Sequence, residues 1–259
     1  MNVKRCISFI VFILVVFFSI RGYCQRDDFV VAIDIGHSIN NPGAYSSREV
    51  GEFYFNKNLA VLLRQELVRE GFAQAFLINE DGADLSLTER ATIANQKKAN
   101  LFISIHHDSV QTRYLSEWSY QGVKHRYSDV FSGYSLFYSE KNREMSKSCL
   151  FANLLGIELR HNGFVPTLHH AEKIDGESRD LVDKDKGIYR FDDLVVLKTT
   201  NMPAVLLECG IIVNRDEEIL LRNSVYQRML VLSIVVAIDT YYSTVRTWPN
   251  RHSSILKGH

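Results

Sequence analysis

The 259-residue chain has only 4 prolines, 4 cysteines and 14 glycines, and its 30 basic residues are matched by 30 acidic ones. Each shortage excludes something. Four cysteines are too few for a disulfide-framed scaffold. A balanced charge, with no basic stripe or long charge run, leaves no footprint for nucleic acid. No repeated period is visible, so the chain is not an array of repeats. The N-terminal apolar run, Cys6 to Ile20, is about 15 residues, short of the roughly 20 that span a bilayer. What is present is a sequence 46% apolar. That suffices for one sizeable core and a single domain.

The first 24 residues read as a secretory signal peptide. Lys4 and Arg5 precede the apolar run, and Gly22 and Cys24 follow it as small residues before Gln25. Arg21 and Tyr23 spoil a lipobox. No stable membrane span is expected after cleavage, and the compartment implied is exported, with periplasm preferred. Removing Lys4, Arg5 and Arg21, and no acid, leaves a net charge of −3. Residues 25–246 are expected to form the domain and 247–259 a polar, frayed tail. Cys149 and Cys209 remain; Cys209 ends the apolar run from Ala204 and reads as a small buried thiol rather than half of a disulfide.

Apolar periodicity predicts alternating elements. Phe29–Ile35, Ala75–Ile78, Leu101–Ile105 and Tyr134–Tyr138 read as strands. Phe55, Leu59, Leu62, Leu63 and Leu67 recur at helical spacing, with Gly71 as a stop. Ser86 to Glu89, Asn214 to Glu217 and Ser224 to Gln227 have the spacing of capping boxes, the last opening an apolar helix to about Tyr242. A further helix is expected over Arg143–His161. Residues 111–132 show no clear period and read as a long loop or a small insertion, and residues 165–190 are charged and irregular with no apolar stripe; both follow strands whose ends face the site and so fit the walls of a groove. The fold class is α/β: a single domain with a mostly parallel sheet covered by helices on both faces.

Three strands end in residues able to bind or serve a metal: Gly36-His37, His106-His107-Asp108 and Glu208. Sites in open α/β sheets form beyond the carboxyl ends of the strands, so these residues converge if the sheet is parallel. Glu52 sits where the Phe55 helix begins. Two imidazoles and one carboxylate are a known catalytic zinc set. Their net positive charge with the ion acidifies a bound water, and a further carboxylate can move its proton. Bland readings exist for each residue: His37 as a loop residue, Glu52 as a first-turn acid. Glu208 is the hardest to explain so, because an acid ending a buried strand needs a partner.

At these residues the sequence resembles the zinc-dependent N-acetylmuramoyl-L-alanine amidases, amidase type 3. Ala32-Ile-Asp-Ile-Gly-His37 with Asn41-Pro-Gly-Ala44, Glu52 with Phe55-Asn56, Leu85 to Arg90 with Asn95, Phe102 to His106, and Met202 to Glu208 with Gly210, Asn214 and Asp216 follow the family's motifs in order. The resemblance implies zinc held by His37, Glu52 and His106, with Glu208 as general base and acid. It also implies peptidoglycan as substrate, cut between N-acetylmuramic acid and L-alanine, and allows a protein activator as partner. Glu49 lies near the ligand position, but the Phe55-Asn56 register selects Glu52. Of His106 and His107, strand alternation lets one face the metal. Asp34 is a candidate partner for the histidines. Ser38-Ile39 stand where the family has two glycines, Asn79-Glu80 where it has Thr-Arg, and Ile211 where it has an aromatic. His169 and His170, paired in a charged loop, are expected to be solvated. Two other readings stay open: an exported zinc peptidase acting on another amide, and a non-catalytic wall-binding or activator protein on the same scaffold.

Overall fold

The computed structural model describes residue 26, residues 28–174 and residues 178–255, with side chains as far as residue 247. The expected signal peptide, 1–24, lies outside the described residues, as does the end of the tail.

The chain opens with strand β1 (Val31–Ile35), helix α1 (Glu52–Arg69), β2 (Phe76–Ile78), α2 (Leu87–Gln96) and β3 (Leu101–Asp108). A hairpin follows, β4 (Ser116–Tyr120) and β5 (Val123–Tyr127). Then come β6 (Ser135–Tyr138), α3 (Met145–His161), β7 (Asp180–Asp183), β8 (Ile188–Arg190), α4 (Val195–Thr199), β9 (Ala204–Ile211), α5 (Arg215–Arg222) and α6 (Ser224–Ile255). The main sheet has seven strands in the order β2-β1-β3-β9-β6-β8-β7. Four of its neighbouring pairs are parallel; β6–β9 and β7–β8 are antiparallel. The sheet is thus mixed, mostly parallel as expected.

Alternation along the strands separates two cores. Val31, Ile33, Ile35, Ile103 and Ile105 pack with α1, α3 and α6 in one cluster. Ala32, Phe102, Ala204 and Leu206 pack with α2 and α4 in the other. Burial on both faces is why these strands read as continuous apolar runs. Leu230, Val231, Ile234, Val235, Ile238 and Tyr241 turn one side of α6 into the larger core. By length and composition Ser224–Thr247 could cross a membrane, yet half of it is buried here, and it packs as a core helix on α1 and α3.

Several expectations need correction. Residues 111–132 form a small insertion rather than a long loop: they hold a short 3-10 turn and the β4–β5 hairpin, whose inward positions carry Trp118, Tyr120, His125 and Tyr127. Residues 165–190 hold a 3-10 turn (His169–Ala171), β7 and β8. Helix α6 runs well past Tyr242, to Ile255, through the stretch expected to fray. Of the three capping boxes, Ser86–Glu89 forms reciprocally. Asn214 does cap α5, but the Glu217 carboxylate turns away to accept from the Ile211 and Gly133 amides. At α6 the capping oxygen belongs to Asn223, which accepts from the Val225 and Tyr226 amides, and not to Ser224. Both cysteines among the described residues are free, with Cys209 buried.

Candidate active site and metal centre

His37, Glu52 and His106 meet at the carboxyl end of the sheet. The two Glu52 oxygens are divided between the rings: Oε2 lies 2.9 Å from His37 Nε2, and Oε1 lies 2.9 Å from His106 Nδ1. The His37 and His106 rings are edge to face, with centroids 5.0 Å apart. All three donor atoms lie within 4.8 Å of one another, close enough to share one ion.

Each donor is placed by a different local device. His106 continues the face of β3 that carries Phe102 and Ser104, so it projects over the site. His107 faces the opposite side, into the α1 core. There its Nδ1–H donates to Asn56 Oδ1 at 2.7 Å, since the amide nitrogen of Asn56 is itself donating to the Gly36 carbonyl and to Glu52. Burial lowers the His107 pKa to about 3, so the ring stays neutral. Glu52 is the first residue of α1, fixed by Asn56 one turn on and by the backbone amides of Ala44 and His107. Burial opposes its ionisation, but the hydrogen bonds and charge of His106 and His37 outweigh this and hold it far below the usual carboxylate range. Glu49, the alternative ligand, sits away on the exposed loop and pairs with His125 of the hairpin at 3.1 Å.

His37 adopts a left-handed backbone, φ 66°. For a non-glycine residue this costs on the order of 1 kcal/mol and needs outside support. Its carbonyl receives that support twice, from Asn79 Nδ2 at 2.8 Å and from Arg90 Nη2. Arg90 in turn forms a buried ion pair with Asp34 at 2.8 Å, and Asp34 accepts from Ser104 Oγ at 2.7 Å. Asp34 is therefore the partner of Arg90 and Ser104, and not of a histidine ring. The loop after His37 lacks the two family glycines. It is tied down by Asp84, which accepts from Ser38 Oγ, Asn40 Nδ2 and Asn41 Nδ2.

Glu208 lies opposite His106 on the neighbouring strand. Its Oε2 is buried and has no hydrogen-bond partner among the described residues. Burial first, then the charges of Asp108 and Glu52, raise its pKa well above the ordinary carboxylate value. An orphaned buried oxygen beside two imidazoles and a carboxylate fits a divalent cation with an attached water. Two clefts lie on this part of the molecule, and one of them reaches the donor residues. One, of about 370 Å³, runs from His37 and His106 past Asp84 and Arg90 to Leu194. The other, of about 400 Å³, lies between Tyr45, Glu49 and the hairpin residues Lys124 and His125. The hairpin is anchored by Trp118, whose Nε1 donates to the Ser47 carbonyl at 2.9 Å with Arg48 and Arg215 against its ring.

Reading by residue type did not find Asn79 or Asp84 as site-building residues, because nothing local marks the His37 carbonyl or the loop after it as needing remote partners. The expectation that His169 and His170 are solvated is wrong. His169 is 4% exposed, and both rings point at Asp108.

The family profile described as N-acetylmuramoyl-L-alanine amidase matches residues 31–240. A protein of Buchnera aphidicola subsp. Baizongia pistaciae that carries the same family name is 28% identical over 217 residues, covering 82% of this chain and 96% of its own. The N-acetylmuramoyl-L-alanine amidase AmiC of Escherichia coli O6:H1 is 24% identical, covering 89% of this chain and 57% of its own. Among solved structures, the catalytic domain of CwlV from Bacillus (Paenibacillus) polymyxa is 26% identical with a TM-score of 0.61, covering 83% of this chain and 98% of that one. The Ami1 amidase of Mycobacterium smegmatis shares the fold, with a TM-score of 0.67 at 19% identity over 85% of this chain and 99% of that one. The chain belongs to the N-acetylmuramoyl-L-alanine amidases, the hydrolases that cut peptidoglycan in the bacterial cell wall.

Proposed function

We propose that the chain cleaves the amide bond between the lactyl group of N-acetylmuramic acid and L-alanine with a zinc ion held by His37, Glu52 and His106, and with Glu208 as general base and acid. The observation that carries this reading is the convergence of two imidazoles on the divided Glu52 carboxylate, next to an unpartnered Glu208 oxygen. A bound zinc supplies the positive charge that polarises the amide carbonyl and acidifies water. Glu208 takes the proton from the attacking water and delivers it to the departing alanine nitrogen. Burial raises its proton affinity, which favours holding the proton for that return step. Glu52 stays ionised because two imidazoles face it, so it remains a ligand and not a second base. The Asp34–Arg90 pair and Asn79 hold the His37 backbone and thereby aim its ring. The cleft at His37 and His106 gives the substrate a wall beside the donors.

Export, with the periplasm as compartment, rests on the signal peptide read over 1–24. A protein activator is a reasonable partner: the CwlD amidase of Clostridioides difficile was solved in complex with the GerS lipoprotein. Neither segment flanking the site holds an α-helix that could plug it, among the described residues.

The test is incubation of the purified protein with peptidoglycan, with and without a chelator, followed by mass spectrometry of the products. Stem peptides with a free L-alanine amine, lost on chelation and restored by zinc, are expected. Glu208→Gln should keep the metal and lose turnover by roughly 10²- to 10⁴-fold. Cleavage by that variant at near the original rate would refute the assigned role.

A further inference from the structure

A second group of three metal donors lies outside the site above, among the described residues: Asp108, His169 and His170. Asp108 ends β3, two residues beyond His106 and on the same face of the strand. The histidines lie on the 3-10 turn between α3 and β7. His170 Nε2 is 2.7 Å from Asp108 Oδ2, and His169 Nε2 is 3.3 Å from the same oxygen. The two rings lie 3.9 Å apart, tilted by 37°.

Three features favour a cation over a plain hydrogen-bonded pair. Two donors bound tetrahedrally to one zinc at about 2.1 Å stand roughly 3.4 Å apart; the His169–Asp108 separation of 3.3 Å matches this, and His170, at 2.7 Å, would draw back to take its place on the ion. His169 has its other nitrogen, Nδ1, 2.9 Å from the buried Thr167 hydroxyl, an oxygen that can accept the Nδ1 proton when Nε2 binds a cation. A ligating histidine held by an outer hydrogen bond has this arrangement. Finally, the group borders a cavity of about 250 Å³ that is also lined by Gln111, whose buried Oε1 has no partner among the described residues. A further oxygen donor or a water has room there. The guanidinium of Arg179, on the same cavity, lies over the Phe191 ring.

We propose that Asp108, His169 and His170 form a second binding site for a divalent transition-metal ion of the zinc class, separate from the His37–Glu52–His106 site. Such an ion pins the turn at 169–171 to the end of β3, across more than 60 residues of sequence. Two imidazoles and a carboxylate select zinc, cobalt or nickel over calcium or magnesium.

The experiment is metal analysis of the untagged full chain after loading with Zn²⁺ and desalting, with circular dichroism to verify folding. The expected contents are two equivalents for the wild type, one for His169→Ala/His170→Ala and one for His37→Ala/His106→Ala. One equivalent in the wild type that persists in His169→Ala/His170→Ala overturns the proposal. One equivalent that this variant loses and His37→Ala/His106→Ala keeps supports the second site and sinks the first. Should His169→Ala/His170→Ala fail to fold, Co²⁺ added to His37→Ala/His106→Ala decides: the visible bands of a nitrogen-ligated Co²⁺ support the second site, and their absence overturns it.

Discussion

A Cβ on Gly43 would stand 2.4 Å from Glu52 Oε2 and 2.6 Å from the His37 ring, and the residue has φ +78°. Both facts require glycine there: the backbone passes against the ligands in a conformation that side chains avoid. Gly43→Ala is expected to cost about 1–2 kcal/mol from the backbone alone. It should also displace the Glu52 carboxylate, so that zinc retention on dialysis falls more than thermal stability does. Equal losses of metal and stability would mean that the contact matters only for folding. The Phe55-Asn56 register points to Glu52 over Glu49, and Asn56 and Glu52, one helical turn apart, touch. The left-handed backbone at His37 was not legible. It depends on donors from Asn79 and Arg90, which lie 42 and 53 residues away.

At the scale of elements, the Asp34–Arg90 pair ties β1 to α2, and through Ser104 to β3. Both partners are nearly fully buried. Asp34→Ala leaves the guanidinium without a counter-charge and is expected to destabilise by about 3–5 kcal/mol, read as a lower urea midpoint. If the midpoint is unchanged, Arg90 must find another anion. Helix α5 begins at Asn214, whose side chain accepts from the Asp216 and Glu217 amides and donates to the Phe131 carbonyl. Asn214→Ala should cost about 1–2 kcal/mol and loosen the irregular segment around Phe131 as well as the helix. Hydrogen exchange that quickens only in α5 would limit the effect to the cap. The β4–β5 hairpin escaped the periodicity reading because its inward residues are Trp, Tyr and His and not aliphatic. Its anchors, Ser47 and Arg48, are remote in sequence.

For the molecule as a whole, Glu217 couples proton binding to folding. Burial raises its pKa to about 7, against the backbone N–H groups of Ile211 and Gly133, which favour the charged form. The folded chain therefore keeps a proton that the unfolded chain releases at about 4.5. The resulting stability is fully present below that lower value and is lost as the pH rises through about 7, a loss on the order of 3 kcal/mol. Urea midpoints measured from about pH 5 to pH 8 should fall for the wild type and stay flatter for Glu217→Gln. The same downward slope in both proteins would assign the effect to other groups.

The alternation of apolar strands and helices, the donors at strand ends and the capping of α2 were all determined by the sequence, because each depends on residues within one or two turns or pleats of each other. Strand alternation also sent His106 and His107 to opposite faces, as the two-residue period demands. What only the tertiary structure decided was which remote groups meet. His169 and His170, set in a charged segment, look like solvated residues until the chain returns them to Asp108 at the end of β3. The antiparallel placement of β6 against β9 was likewise not local, since a strand's own side chains are buried equally well in either direction. Long-range packing sets these contacts, and no window of sequence holds both partners.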